Sequence, residues 1–474
     1  MKASRLVTFA AWGLIVLGIL LRLRQYIANR SLWLDEAMLA LNIIHKDVWG
    51  LFGKLDYEQG APLGFLLLEK LAAALLGDGE RALRLLPLMA GCASLILFYF
   101  LARKILNTPG LLTVLALFAL SPTLIYYSSE VKQYSSDVFI AVLLLYVFAH
   151  HSSPITNTQL LITGLLAPWF SHPAIFVLAA IGLTLLLENR RQPIPTLAMG
   201  AGWLVSFGLL YLVSLRGLSG NEFLRRYWQE YFRANPLDAL FGLFANPGGL
   251  AAFAPVLLTA MLLGAGMLFA RQRKAAGSLL LVFLFAGAAS WMQLYPFAGR
   301  MILFITPLVY IFLAAAVDWL WNIFPRPRFL SPLLALSLAG FLLYSPLIVS
   351  AERFVSPKYP EHIRPAMAYL NANLKPGDAL YVYNWALPAY RYYARPGTEY
   401  VAGGLHTDAP QALLSELEQF KGQPRVWILF SHVYESGEYN EKDWMLDYLN
   451  QIGERKRQFI EPGTSVYLYL YDLR

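Results

Sequence analysis

The chain has 474 residues, 57% of them hydrophobic and 14% charged, with a formal net charge of +8. Soluble domains carry roughly 45–50% apolar and about 25% charged residues, so a purely soluble protein is excluded. Nor is the positive charge a nucleic-acid signature, because no basic run alternates with aromatic residues.

In chain order, Leu6–Leu21 is the first apolar run, preceded by Lys2 and Arg5. A signal peptide is the weaker reading, because no small-x-small site follows and Arg22 and Arg24 come at once. Ser31-Leu32-Trp33-Leu34-Asp35-Glu36-Ala37 then sets two adjacent carboxylates beside the bilayer, where ionised groups are costly and mark function by default. Ala61–Leu76 is apolar but carries Glu69-Lys70 in its middle, which predicts a juxtamembrane helix on the outer face. The runs Leu85–Leu101, Leu111–Tyr127 and Val138–Phe148 follow, and a second polar cluster, Ser128-Ser129-Glu130-Val131-Lys132-Gln133-Tyr134, lies between the last two. Residues 158–187 go out and back, turning at Ser171-His172-Pro173. Leu197–Leu215, Ala251–Ala270, Ser278–Leu294, Ile302–Phe324 and Leu330–Val349 complete the apolar runs. A bilayer crossing needs about 20 apolar residues, and flanking residues complete the shorter runs. No repeat with a period of 20–50 residues is visible. The single Cys92 allows no internal disulfide.

Short basic loops face the cytoplasm. Placing Lys2/Arg5, Arg103-Lys104, Arg190-Arg191, Arg271–Lys274 and Arg326-Pro327-Arg328 inside threads about eleven spans. Both acidic clusters, His172, Arg300 and the C-terminal tail then share the outer side. This gives two domains: a membrane domain over residues 1–350 and a soluble extracytoplasmic domain over 351–474. Residues 352–474 hold 13 Lys and Arg against 15 Asp and Glu, a net of −2 that leaves +10 on the rest. Strand-like runs Ala379–Tyr383, Arg425–Phe430 and Ser465–Leu470 alternate with helix-like runs Pro365–Leu374, Gln411–Phe420 and Lys442–Ile452, which predicts an α/β layer.

Asp35 and Glu36 suit either helix capping or catalysis, in which a carboxylate takes the proton of an acceptor hydroxyl as it attacks. Glu130, Tyr134 and Asp137, at i, i+4 and i+7, share a face if that stretch is helical. Lys132 offers a compact ammonium to a lipid-phosphate oxygen, and Glu130 would orient Lys132, the acceptor or a bound divalent cation. The alternative for this cluster is a solvated loop. His172 is either a structural hydrogen-bonder or a substrate contact. Arg300, in Tyr295-Pro296-Phe297-Ala298-Gly299-Arg300, is either a snorkelling cation or an anion clamp. In the long outer loop 217–250, Arg225-Arg226 with Tyr227, Trp228, Tyr231 and Phe232 reads as interfacial anchoring. The C-terminal stretch contains no nucleophile elbow, phosphate loop or zinc motif, and a divalent cation is the one cofactor left open.

Leu34-Asp35-Glu36-Ala37 after the first span resembles the acidic motif of GT-C-type glycosyltransferases, which include protein O-mannosyltransferases and the lipid A aminoarabinose transferase. Tyr126–Tyr134 is similar to the second outer-loop motif of bacterial members, and Tyr295–Arg300 with Pro307 also resembles that group. The resemblance covers about residues 1–350. It implies a sugar donor carried on polyprenyl phosphate, inverting transfer outside the cytoplasm to a glycan, lipid or protein acceptor, and a catalytic role for Asp35 with Glu130 as the second-loop acid. Glu36, Lys132, Tyr134, His172 and Arg300 are then the substrate-binding candidates. Several relatives carry a basic residue just before the juxtamembrane proline, whereas this chain reads Gln59-Gly60-Ala61-Pro62. Lys132 or Arg300 would supply the phosphate contact instead. A transporter or flippase for a lipid-linked saccharide is the rival, but it calls for ionisable groups at midplane in paired repeats. The acids here lie at loop level.

Overall fold

A computed structural model describes residues 2–150, 154–232, 236–250, 253–324, 327, 329–406, 410–436 and 439–474. Arg326 and Arg328 of the last basic loop lie outside the described residues. The chain forms two compact units: residues 1–28 with 46–357, and residues 29–45 with 358–474.

The first helix, α1 (Lys2–Ile27), runs past its expected end to take in Arg22 and Arg24. α2 (Leu34–His45) belongs to the second unit. The first unit resumes with α3 (Leu63–Leu76), the single turn α4 (Glu80–Leu83), α5 (Leu85–Ile105), α6 (Thr108–Leu120) and α7 (Pro122–Tyr127). It continues through α8 (Tyr134–Ala149), α9 (Pro154–Phe170), α10 (Ala174–Glu188) and α11 (Ile194–Leu210). After α12 (Arg216–Ser219) come α13 (Glu222–Phe232) and α14 (Pro236–Ala245), then α15 (Ala254–Arg271), α16 (Arg273–Trp291), α17 (Thr306–Leu320) and α18 (Leu330–Val355).

Among the described residues, seven helical stretches are long and apolar enough to cross a membrane, and α6, α8 and α10 are shorter apolar helices. This is a multi-pass membrane protein. Every residue from Thr306 to Asp318 is buried, which makes α17 the core helix. It packs against α6, α15 and α18. Close approach there depends on small residues, as is usual between apolar helices. An added Cβ at Gly264 of α15 would meet the Phe312 carbonyl oxygen at 1.8 Å. Asp318 of α17 accepts the backbone N–H of Asn107 at 2.6 Å and of Gly110 at 2.7 Å, so an acid on one helix caps the N-terminus of another. α3 is 14 residues long, roughly 21 Å at 1.5 Å per residue, which is short for a span. Its Leu68, Leu71, Leu75 and Leu76 are exposed, while Glu69 is buried. Residues 217–250, expected as loop, contain α13 and α14. The Asn221 side chain accepts from the Leu224 N–H at 3.2 Å, and Pro236 opens α14, two start signals that aromatic content masks in the sequence.

In the second unit β1 (Ala379–Val382), β2 (Val401–Ala402), β3 (Val426–Phe430), β6 (Glu454–Ile460) and β7 (Tyr467–Asp472) form one sheet in the order β2-β1-β3-β7-β6. β4 (Glu435–Ser436) and β5 (Tyr439–Asn440) make a separate small ladder. β1 is parallel to β2 and β3, whereas β7 is antiparallel to β3 and β6. Helices α19 (Ile363–Asn373), α20 (Leu387–Tyr393), α21 (Pro410–Glu418) and α22 (Glu441–Ile452) alternate with the strands. β3 is buried along its whole length, as expected for a central strand between covered faces. The expected helices and three expected strands are present. β6 was not foreseen: its Glu454-Arg455-Lys456-Arg457 start looks like solvated loop. As an exposed edge strand, it is protected by those same charges.

Candidate active site

The acidic motif is mounted within the second unit. Asp35 and Glu36 occupy the first turn of α2, where carboxylates complement the helix dipole. The helix begins at Leu34, so Asp35 lies inside it rather than capping a helix that starts at Ala37. Glu36 is fully buried and pairs with buried Arg30 at 3.3 Å. It also receives a long 3.5 Å contact from the Trp33 N–H, the return half of a capping box. Asp35 is half-buried, which leaves it the more accessible acid of the two.

Residues 29–34 are tied to residues 361–432. The Leu34 N–H donates to Glu361 Oε2 at 2.9 Å, and the Leu32 N–H to the Tyr393 hydroxyl at 2.7 Å. Ser31 Oγ lies 2.8 Å from His362 Nδ1 and accepts the Arg364 N–H at 3.2 Å. The Arg364 guanidinium also donates to the Asn29 carbonyl. Sequence reading did not single out Arg30, Glu361 or His432. Arg30, just ahead of the motif, was the one local clue.

The second cluster belongs to the first unit. The expected helical continuity from Glu130 to Asp137 is not present: residues 128–133 form turns, and α8 begins at Tyr134. Ser128 and Ser129 donate their hydroxyls to the carbonyls of Ile125 and Tyr126, at 2.6 and 3.3 Å, which ends α7. Nor is the cluster a solvated loop, since Glu130, Lys132, Tyr134 and Asp137 are all buried. Lys132 Nζ donates to Gln59 Oε1 at 2.5 Å. The ammonium therefore reaches the stretch just before the juxtamembrane proline, where this chain lacks its own basic residue.

Arg300 joins the same cluster. Its guanidinium carbon lies 5.7 Å from the Tyr134 ring centroid, a cation–π arrangement. The Tyr134 ring meets Tyr127 edge-on at 5.3 Å, and Tyr127 is within electrostatic reach of both Glu130 and Arg300. Gly299, at φ +51°, supplies the left-handed residue that turns the chain just before Arg300. The Tyr295 hydroxyl donates to the Met301 carbonyl at 2.7 Å and closes that turn. Burial, with Asp137 and Tyr134 nearby, holds the Tyr295 phenol above its ordinary range.

His172 sits at the turn between α9 and α10. Its Nε2 is buried without a hydrogen-bond partner, and burial pushes the imidazole down to about 4. It is therefore neutral at pH 7 and cannot act as a cationic clamp. Among the described residues no group of three or more His, Cys, Asp or Glu is arranged to hold a metal ion.

No protein-family model and no curated protein sequence matches the chain. Solved structures do. The chain is similar to ArnT from Cupriavidus metallidurans in the apo state, with TM-score 0.56 and 14% identity, covering 99% of this chain and 98% of that one. It is also similar to ArnT from the same organism bound to undecaprenyl phosphate, with TM-score 0.55, 15% identity, and 97% and 98% coverage. The Archaeoglobus fulgidus oligosaccharyltransferase in complex with an inhibitory peptide and a dolichol-phosphate matches at TM-score 0.55 and 13% identity, over 98% of this chain and 74% of that one. The chain thus has the GT-C-like polytopic helical fold that the resemblance implied, together with the small C-terminal α/β domain that the alternation of strand-like and helix-like runs predicted.

Proposed function

We propose that the protein is a membrane glycosyltransferase that moves a sugar from a polyprenyl-phosphate donor to a glycan, lipid or protein acceptor. The observation that carries this reading is the end-to-end likeness to a structure bound to undecaprenyl phosphate. The likeness to a structure holding dolichol-phosphate points to the same donor chemistry. Nothing favours the transporter alternative.

In this reading Asp35 is the general base and deprotonates the acceptor hydroxyl as it attacks the anomeric carbon. The bond to the phosphate oxygen breaks in the same step, so the anomeric centre inverts and polyprenyl phosphate leaves. Lys132 and Arg300 offset the charge growing on that phosphate. Glu130 orients the cations, Tyr134 supports Arg300 through its ring, and His172 acts as a neutral hydrogen-bonding group. Glu36 holds Arg30 and with it the first turn of α2. The reaction is proposed for the extracytoplasmic side of the inner or plasma membrane. The eleven-span threading additionally requires the shorter apolar helices to cross.

The test is transfer from a panel of polyprenyl-phosphate sugars by membranes containing the protein, with donor affinity and single-turnover rate measured for three folded variants. Asp35→Asn should lower the rate by about 10²–10⁴-fold, the usual contribution of general-base catalysis, with donor binding nearly unchanged. Lys132→Ala and Arg300→Ala should each weaken donor binding by about 1.5–3 kcal/mol, the range for a charged hydrogen bond. Normal turnover in Asp35→Asn would overturn the assignment of the base. Wild-type behaviour in all three would place the site elsewhere.

A further inference from the structure

Among its described residues the second unit contains two Glu–His pairs of the same length, and only one of them touches the acidic motif. His406 Nε2 lies 2.6 Å from Glu416 Oε1, and Glu416 also accepts the Gly404 N–H and the Tyr381 hydroxyl, all within residues 381–416. His432 Nδ1 lies 2.6 Å from Glu361 Oε1, while the other oxygen of that carboxylate accepts the Leu34 N–H at 2.9 Å, one residue before Asp35. Ser431 donates a longer contact to the same oxygen at 3.4 Å. Glu361 is buried, so its bonds are not exchanged freely with water.

The surroundings of His432 are built to hold it. Its ring centroid is 6.3 Å from that of Trp33 and 6.3 Å from that of Trp385. Its backbone has φ +50°, a region a non-glycine residue seldom occupies and one that surrounding structure must enforce. Trp33 belongs to the motif and Trp385 follows β1, so the imidazole is bracketed by the two parts it joins.

We infer that Glu361, braced by His432, is a positioning residue that fixes the first turn of α2 and thereby aims the Asp35 carboxylate. The α/β domain on this account carries the catalytic loop rather than serving as a detachable binding module. Catalytic groups held even 1 Å out of place lose about 10²-fold in rate, so the mount should register in turnover more than in affinity. The inference rests on the reading of Asp35 as the base.

The experiment compares full-length Glu361→Ala, Glu361→Gln, Glu416→Ala and Asp35→Asn with the parent protein. It measures kcat, donor KM and hydrogen exchange of peptides covering residues 31–45. Glu361→Ala should lose at least about 10-fold in kcat with donor KM unchanged within about 2-fold, and exchange at 31–45 should rise. Glu361→Gln keeps an acceptor for the Leu34 N–H and should restore most of both. Glu416→Ala perturbs the same domain without touching the motif and should leave kcat near the parent value. Parent-like kcat and exchange in Glu361→Ala overturn the inference. So does an equal fall in Glu416→Ala, which would mean general loss of the domain. Should Glu361→Ala not fold, His432→Ala replaces it, and unchanged exchange at 31–45 in that variant is equally fatal. Normal turnover in Asp35→Asn would instead remove the base assignment, and the exchange data would still report on the mount.

Discussion

His172 shows how burial alone changes what a residue can do. An ordinary histidine titrates near 6.5, but desolvation holds this one at about 4. The folded value lies below the unfolded one, so between them the unfolded chain binds more protons. Stability from this group is therefore fully present above about pH 6.5 and is lost as pH falls toward 4. At about 1.36 kcal/mol per unit, the loss approaches roughly 3 kcal/mol. The thermal midpoint of the purified protein should fall between pH 7 and pH 5, and His172→Gln, which has no proton to gain, should show a shallower fall. Identical pH dependence in the two proteins would mean that water reaches the ring. The same residue shows what a sequence does not carry. His172 at a loop between apolar runs reads as a structural hydrogen-bonder or a substrate contact, and its burial at the turn between α9 and α10 is decided only by packing. Lys132 is similar: its chemistry is evident from the sequence, but its reach to Gln59, 73 positions earlier, is not.

At the scale of elements, apolar periodicity and length identify the long apolar helices, and local signals fail where side-chain bonds override them. The turn at 128–133 is one case, since Ser128 and Ser129 divert the backbone before α8 starts. The contact between α15 and α17 is another feature invisible in composition. Gly264 and Gly266 are both glycines in an apolar helix, two residues apart. Gly264 faces the Phe312 carbonyl at a distance no Cβ tolerates, whereas a Cβ added at Gly266 would meet no neighbouring element within 4 Å. Gly264→Ala should destabilise the protein by about 1–3 kcal/mol, the usual cost of overpacking. Gly266→Ala should be neutral or stabilising by about 0.5–1 kcal/mol, because alanine favours helix. Thermal denaturation of both variants decides it, and a reversed order would show that the two helices do not pack as described.

For the whole molecule, the positive-inside reading of the five basic loops is open to a labelling test. A Cys92→Ser background carrying a single cysteine at Gln192, beside Arg190-Arg191, should resist an impermeant thiol reagent in intact cells. The same background with a cysteine at Lys421, in the α/β domain, should react. Both should react once the membrane is opened, and equal labelling in intact cells would overturn the threading. Much of this scale follows from the sequence alone, because the cost of burying charge and bare backbone in hydrocarbon acts on every residue of a span. Composition and charge therefore determined the membrane class, the long apolar helices and the near-neutral balance of the C-terminal residues. Tertiary structure alone decided that residues 29–45 fold with residues 358–474, that Glu36 is committed to Arg30, and that Glu361 and His432 hold the Leu34 backbone. The bond from the Leu34 N–H to Glu361 joins residues 327 positions apart, and no periodicity or spacing along the chain records a bond of that kind.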